Sequence, residues 1–279
     1  MNGIQAVLNW GDLAATLILV GGLVYAALLT VPSPRGQRWL VGAATVLAPV
    51  LVLELVVTAF RLHAVTGLGA LRVVPELIQA RWGRLWVARA MGLGVLAAAA
   101  RAATLDARWK AALGAVWLLA KSFQGHAGAH GTVPALVDWL HLAAASVWLG
   151  GLGQLMAATE PLPMLLALRF RRVATLALAA LTPAGLYGAF LHVPTLHALA
   201  TSPYGRTLIG KLALAVVLLG LAAANHFRYV PAFARGDAMG SSGLRRVVAA
   251  ELALGLLVLL ASALLGVLPM PHELAGASG

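Results

Sequence analysis

Eight stretches of about 20 mostly apolar residues follow one another along the chain, at roughly 11–31, 39–60, 84–101, 107–124, 135–157, 169–190, 206–227 and 245–268. Backbone N–H and C=O groups can enter hydrocarbon only when they are bonded within the spanning structure, so segments of this length read as helices. A strand reading needs sustained period-two alternation, and none persists. The expected fold is all-α, a polytopic membrane helix bundle of about eight transmembrane helices. It forms a single transmembrane domain over 1–279, with 1–124 and 125–279 as candidate halves. Composition agrees: 61% of residues are hydrophobic and 10% charged, against roughly 25% charged in soluble domains. So few charges cannot coat a water-soluble globule of this size.

The net charge of +11 would suggest nucleic acid in a soluble chain, but no basic helix with interleaved aromatics occurs. The positive-inside rule accounts for it better. Twelve of the 20 basic residues, from Arg35 and Arg38 to Arg245 and Arg246, fall in the first, third, fifth and seventh connections. Those connections are expected to be cytoplasmic, which turns both termini outward. The first apolar run lacks a basic leader and reads as a retained helix. Lys121, near the end of the short fourth span, is expected to snorkel to the interface. Pro75 is expected to start a short interfacial helix, Glu76 to Trp82, with Trp82 and Trp86 in the headgroup belt. Gly240 to Gly243 read as a flexible turn.

The absence of cysteine removes disulfides, thiolate metal sites and cysteine nucleophiles. No nucleotide loop, His-Glu-x-x-His or convincing Ser/His/Asp order occurs, so the chain is not read as an enzyme. The informative residues are its eight histidines. Seven are expected on or near the outward side; His226 alone falls at the cytoplasmic end. His126 and His130 lie four apart among glycines that let both rings reach one ion, and neutral imidazole is a common ligand for copper, zinc and nickel. The bland reading is a polar turn. His192 and His197 occupy the next outward connection, where Pro194 forbids a regular helix through the pair. His63 is a further candidate metal ligand.

His141 lies about 10 Å into the fifth span, and an ionisable group there is a functional candidate by default. Asp138, one turn earlier, is expected to hold its second ring nitrogen. Glu54 and Arg89 lie at similar depth and read as a buried pair. Glu251 and Lys211 lie at different depths; with Glu54 and Asp138 they are candidate translocation or supporting residues. Met270-Pro271-His272 is a weak soft-ligand signal.

The run His141-Leu142-Ala143-Ala144-Ala145-Ser146-Val147-Trp148-Leu149-Gly150-Gly151-Leu152 resembles a helix motif of the CopD copper-resistance family. So do Gly125-His126-Ala127, Gly83 to Arg89 and the segment Ser202-Pro203-Tyr204-Gly205-Arg206-Thr207-Leu208-Ile209-Gly210-Lys211, and Glu251 stands where that family often carries an acid. The resemblance is sharpest from about 121 to 268. It implies a multi-pass protein of the bacterial inner membrane, associated with copper uptake or resistance, often beside a separate periplasmic copper carrier of CopC type. Outer histidines would then receive copper, as Cu(I) or Cu(II). His126, His130 and His141 form the first expected site, with His192 and His197 as a second. Trp148, Gly150 and Gly151 are read as close-packing residues rather than ligands. Two rival readings remain: a b-type haem-binding electron-transfer subunit using His141 and a border histidine, and an assembly factor that delivers copper without moving it.

Overall fold

The computed structural model describes residues 2–29, 32–102, 104–158, 164–192 and 195–269, with the side chains of 2, 70, 71, 192 and 238–241 outside that description. Those residues are helical throughout, with no strand among them. The order is α1 (Asn2–Leu28), α2 (Pro34–Thr66), α3 (Ala70–Gln79), α4 (Arg81–Arg101), α5 (Ala107–Gln124), α6 (His126–Ala129), α7 (Thr132–Ala145), α8 (Gly151–Ala157), α9 (Met164–His192), α10 (Leu196–Thr201), α11 (Pro203–Ala224), α12 (Val230–Ala234) and α13 (Ala238–Leu265). One π-helical turn, Ser146–Gly150, joins α7 to α8, and a second, Asn225–Tyr229, joins α11 to α12.

Six of the helical runs are long and apolar enough to cross a membrane: Gly3–Leu28, Pro34–Thr66, Thr132–Ala157, Met164–Leu191, Pro203–Ala234 and Ser242–Leu265. The remaining two expected spans coincide with the helices α4 and α5, which are not among these six. Arg84, Arg89 and Arg101 in α4, and Arg108, Lys110 and Lys121 in α5, keep them below the same apolar standard. The exterior is apolar at mid-helix, with Val52, Met91, Val116, Leu176 and Val216 exposed. That surface suits lipid, and the chain is a multi-pass membrane protein.

α1 is the central helix. It packs on α2, α5, α13 and the first π turn, and Leu17, Leu19 and Leu23 on it are almost wholly buried. Its crossing with the π turn is made by glycines. A Cβ on Gly21 would lie 2.0 Å from the Ser146 carbonyl oxygen, and one on Gly150 would lie 2.4 Å from the Leu17 carbonyl oxygen. A Cβ on the adjacent Gly151 would strike the Phe170 ring at 2.3 Å. The diglycine thus lets α1 and α9 approach from two sides, as expected of small residues at helix crossings.

Tryptophan indoles tie neighbouring helices by donating to backbone carbonyls, which have a second lone pair to offer. Trp10 reaches Leu256 O at 3.0 Å, and Trp86, Trp117 and Trp139 reach Leu51 O, Arg89 O and Ala115 O at 2.9 Å each. Trp86 thereby ties α4 to α2. Pro75 lies inside α3 rather than at its start, and Trp82 belongs to α4. Ser33, Asp106, Thr195 and Ser202 cap the starts of α2, α5, α10 and α11. The segment 240–243, expected as a turn, is helical; the chain reverses at Arg235 to Asp237 instead, where Gly236 has φ 78° and so supplies the left-handed conformation glycine adopts freely.

Candidate functional site

The starts of α1, α4 and α11 and the ends of α2, α5 and α13 meet at one end of the bundle, here the upper end, around a cavity of about 680 Å³. His126, His141, Asp138, Glu54 and Lys211 all line it. Five of the residues singled out from the sequence therefore share one space.

His141 is placed by a backbone contact. Its Nδ1 lies 3.2 Å from the Leu181 carbonyl oxygen. A carbonyl only accepts, so Nδ1 carries the proton and Nε2 keeps its lone pair for a ligand. Leu181 of α9 orients this ring through Nδ1. Gly185 makes the room: a Cβ there would lie 3.0 Å from the His141 ring. Asp138 stands within electrostatic reach of the Lys211 ammonium. These three residues also border a side pocket of about 150 Å³ beside α9 and α11.

The cavity floor is a charge cluster centred on Asp12. Arg89 Nη2 donates to Asp12 Oδ1 at 2.6 Å, and Lys121 Nζ donates to Asp12 Oδ2. Arg89 Nη1 reaches Gln124 Oε1 at 2.7 Å and lies 3.7 Å from Glu54 Oε2. The guanidinium also lies 5.1 Å from the Trp117 ring centroid. Asp12 and Arg89 are each only 2% exposed. Matching depths had paired Glu54 with Arg89; the shorter contact is Asp12, which the sequence reading missed. Lys121 turns inward to Asp12 rather than snorkelling outward.

Of the other expected ligands, His63, His130 and His197 are not part of this cavity's lining. His63 is exposed and its Nδ1 is bonded to Leu68 O within its own turn. His130 and His197 are exposed, at the end of α6 and in α10. His192 closes α9, but its side chain, like Met270-Pro271-His272, lies outside the described residues. Among the described residues no three His, Asp or Glu side chains approach closely enough to enclose one metal ion. Glu251 lies elsewhere, in a second cavity of about 250 Å³ lined by α9, the second π turn and the first half of α13. Asn225 Nδ2 donates to its Oε1 at 2.7 Å.

Comparison with known proteins gives this geometry its relatives. The family described as Copper resistance protein D matches residues 164–265, the run from the start of α9 to the end of α13. The Copper transport protein CutJ of Bacillus subtilis (strain 168) is 33% identical over 166 residues, which cover 56% of this chain and 29% of that protein. The chain thus spans under a third of the length of that curated relative. No solved structure matches it. The matched segment contains Lys211 and Glu251, while His126, His141 and the Asp12 cluster precede it. Over residues 164–265, this chain is similar to the copper resistance protein D family.

Proposed function

We propose that this protein carries copper across the bacterial inner membrane, taking it up from the periplasm at the upper cavity. The observation that carries the reading is the meeting of His126 and His141 in one polar cavity, in a chain whose last five helices match a copper-resistance family and which resembles a copper transport protein. In this reading α4 and α5 complete eight spans, the upper end with both termini is periplasmic, and the arginine-rich lower end is cytoplasmic.

The separation of the histidines favours successive hand-over above a closed cage. His130, His197, His63 and His192 collect the ion at the rim, from a separate carrier of CopC type. His126 passes it into the cavity, and His141, held with Nε2 unprotonated, receives it deeper. Soft Cu(I) and borderline Cu(II) both accept imidazole, so ligand chemistry alone does not choose the oxidation state. Glu54 and the Asp138–Lys211 pair hold charge beside the path. The negative cell interior drives a cation inward by about 2.3 kcal/mol per charge per 100 mV.

The test is copper accumulation in cells that express the protein. Wild type raises cellular copper above the empty-vector level, and the double variant His126→Ala/His141→Ala, present in the membrane in equal amount, returns it to that level. Undiminished accumulation by the double variant rejects these two residues as the path. Copper bound tightly to purified protein, with no flux into proteoliposomes, would make the protein a delivery factor instead.

A further inference from the structure

The lower cavity contains a carboxyl that the copper path does not use. Glu251 is 1% exposed and, among the described residues, has no ion-pair partner, whereas Asp12 at the upper end is held by two cations. Its neighbours are neutral donors. The Asn225 amide donates to Oε1, and the Trp148 indole lines the same cavity. Both neighbours come from π turns, Trp148 from Ser146–Gly150 and Asn225 from Asn225–Tyr229. Such turns are rare and concentrate at functional sites; here two of them converge on one acid.

We propose that Glu251 is a proton-binding site, loaded from the arginine-rich end of the bundle through His226. A carboxyl at membrane depth without a counter-cation is costly as an anion and cheap as an acid. Asn225 serves both forms. Its Nδ2 bonds the carboxylate, and its Oδ1, which is buried and has no protein partner, accepts from the O–H of the acid once the amide turns over. An amide is among the few side chains that can do this in place, since its oxygen and nitrogen are nearly isosteric. The step is the addition of one proton to one carboxylate oxygen, and its reversal.

His226 stands in the same cavity. Arg171 Nη2 donates to its Nε2 at 2.8 Å, so the ring proton sits on Nδ1, 3.3 Å from Thr175 Oγ. The other ionisable groups near Glu251 point elsewhere. The elements packed on α13 are α1, α8, α11, α12 and the second π turn. Asp12 of α1 and Lys211 of α11 line the upper cavity, and Tyr25 of α1 packs in the apolar core. Arg206 and Tyr204 open α11 at the upper end. Arg228 is exposed and lies 5.9 Å from the Tyr229 ring centroid. α8 and α12 carry no ionisable side chain, and Arg245 and Arg246 lie below Glu251 on α13 itself. The proposal stands whether or not copper is the cargo.

The cavity is also walled by Thr175 and Leu178 of α9 and Leu219 of α11, so a lipophilic reagent can reach it between these helices from the membrane. Dicyclohexylcarbodiimide, which attacks protonated carboxyls, is applied to the full-length protein in copper-free liposomes across a pH series, and adducts are mapped by mass spectrometry. The expected result is an adduct on Glu251 that fades as pH rises and is indifferent to sodium chloride. Protection by sodium at constant pH and ionic strength would assign the site to sodium and overturn the proton reading. A second measurement does not depend on reagent access. The infrared acid-carbonyl band that grows on acidification, and shifts in deuterated water, should lose a component in Glu251→Gln and keep it in Glu54→Gln. Identical bands in wild type and Glu251→Gln would overturn the proposal, with no bearing on the copper path.

Discussion

Asp12 accepts from Arg89 and Lys121 in a space that water barely enters. Removing the acid strands two cations, while removing one cation leaves a pair. Breaking a buried pair typically costs about 3–5 kcal/mol. Asp12→Ala is therefore expected to melt well below wild type in detergent, and Asp12→Ala/Lys121→Met to regain part of the loss; thermal unfolding checks both. Gly185→Ala separates packing from chemistry. Alanine favours a helix by roughly 1 kcal/mol over glycine, but the new methyl presses on the His141 ring. The variant should keep its melting temperature and lose part of its copper accumulation. At this scale the sequence exposed His141, Glu54 and Arg89, because an ionisable residue inside an apolar run stands out by itself. Asp12 does not stand out, since it is the second residue of the apolar run 11–31 and an acid at a helix edge looks solvated. Only the convergence of α1, α4 and α5 shows that it is buried.

Helix crossings are governed here by missing side chains and by indole donors. At the α1 crossing even one methyl on Gly150 meets backbone, and backbone yields less readily than a side-chain tip. Overpacking usually costs about 1–3 kcal/mol, so Gly150→Ala is expected to lose at least that much, read from thermal or denaturant unfolding, with Gly210→Ala, which meets nothing within 4 Å, as the neutral comparison. The diglycine was legible as a packing motif. The π turn that carries it was not, because helical periodicity assumes 3.6 residues per turn and a five-residue π turn shifts that register. The same shift hid the company of Glu251. Read at regular spacing, Trp148 and Asn225 have no reason to face one acid.

For the whole molecule, the proposed copper path requires the rim histidines to share one side of the bilayer. The chain has no cysteine, so single cysteines report position without interference. Cysteines at 130 and 197 should label with a membrane-impermeant maleimide from the same side, and one at 172 only from the other; labelling of 130 and 197 from opposite sides would break the proposed copper path. Fold class and the six long apolar helices among the described residues were legible because length and hydropathy are local properties. Whether α4 and α5 cross was less so, since their charges lower the apolar signal while the acid that answers Arg89 and Lys121 lies on α1.

That long-range answer has a consequence for biogenesis. Asp12 leaves the ribosome nearly eighty residues before Arg89 and more than a hundred before Lys121, so the nascent chain must shelter a lone acid about three turns inside α1. An acid near a helix centre disfavours insertion by about 2.5–3.5 kcal/mol. A fragment truncated at residue 80 should therefore insert its first helix poorly, Asp12→Leu should restore it, and extension past residue 124 should make the leucine unnecessary. Reporter-tag topology mapping would read all three, and efficient insertion of the short unmodified fragment would show that the acid finds shelter without its partners.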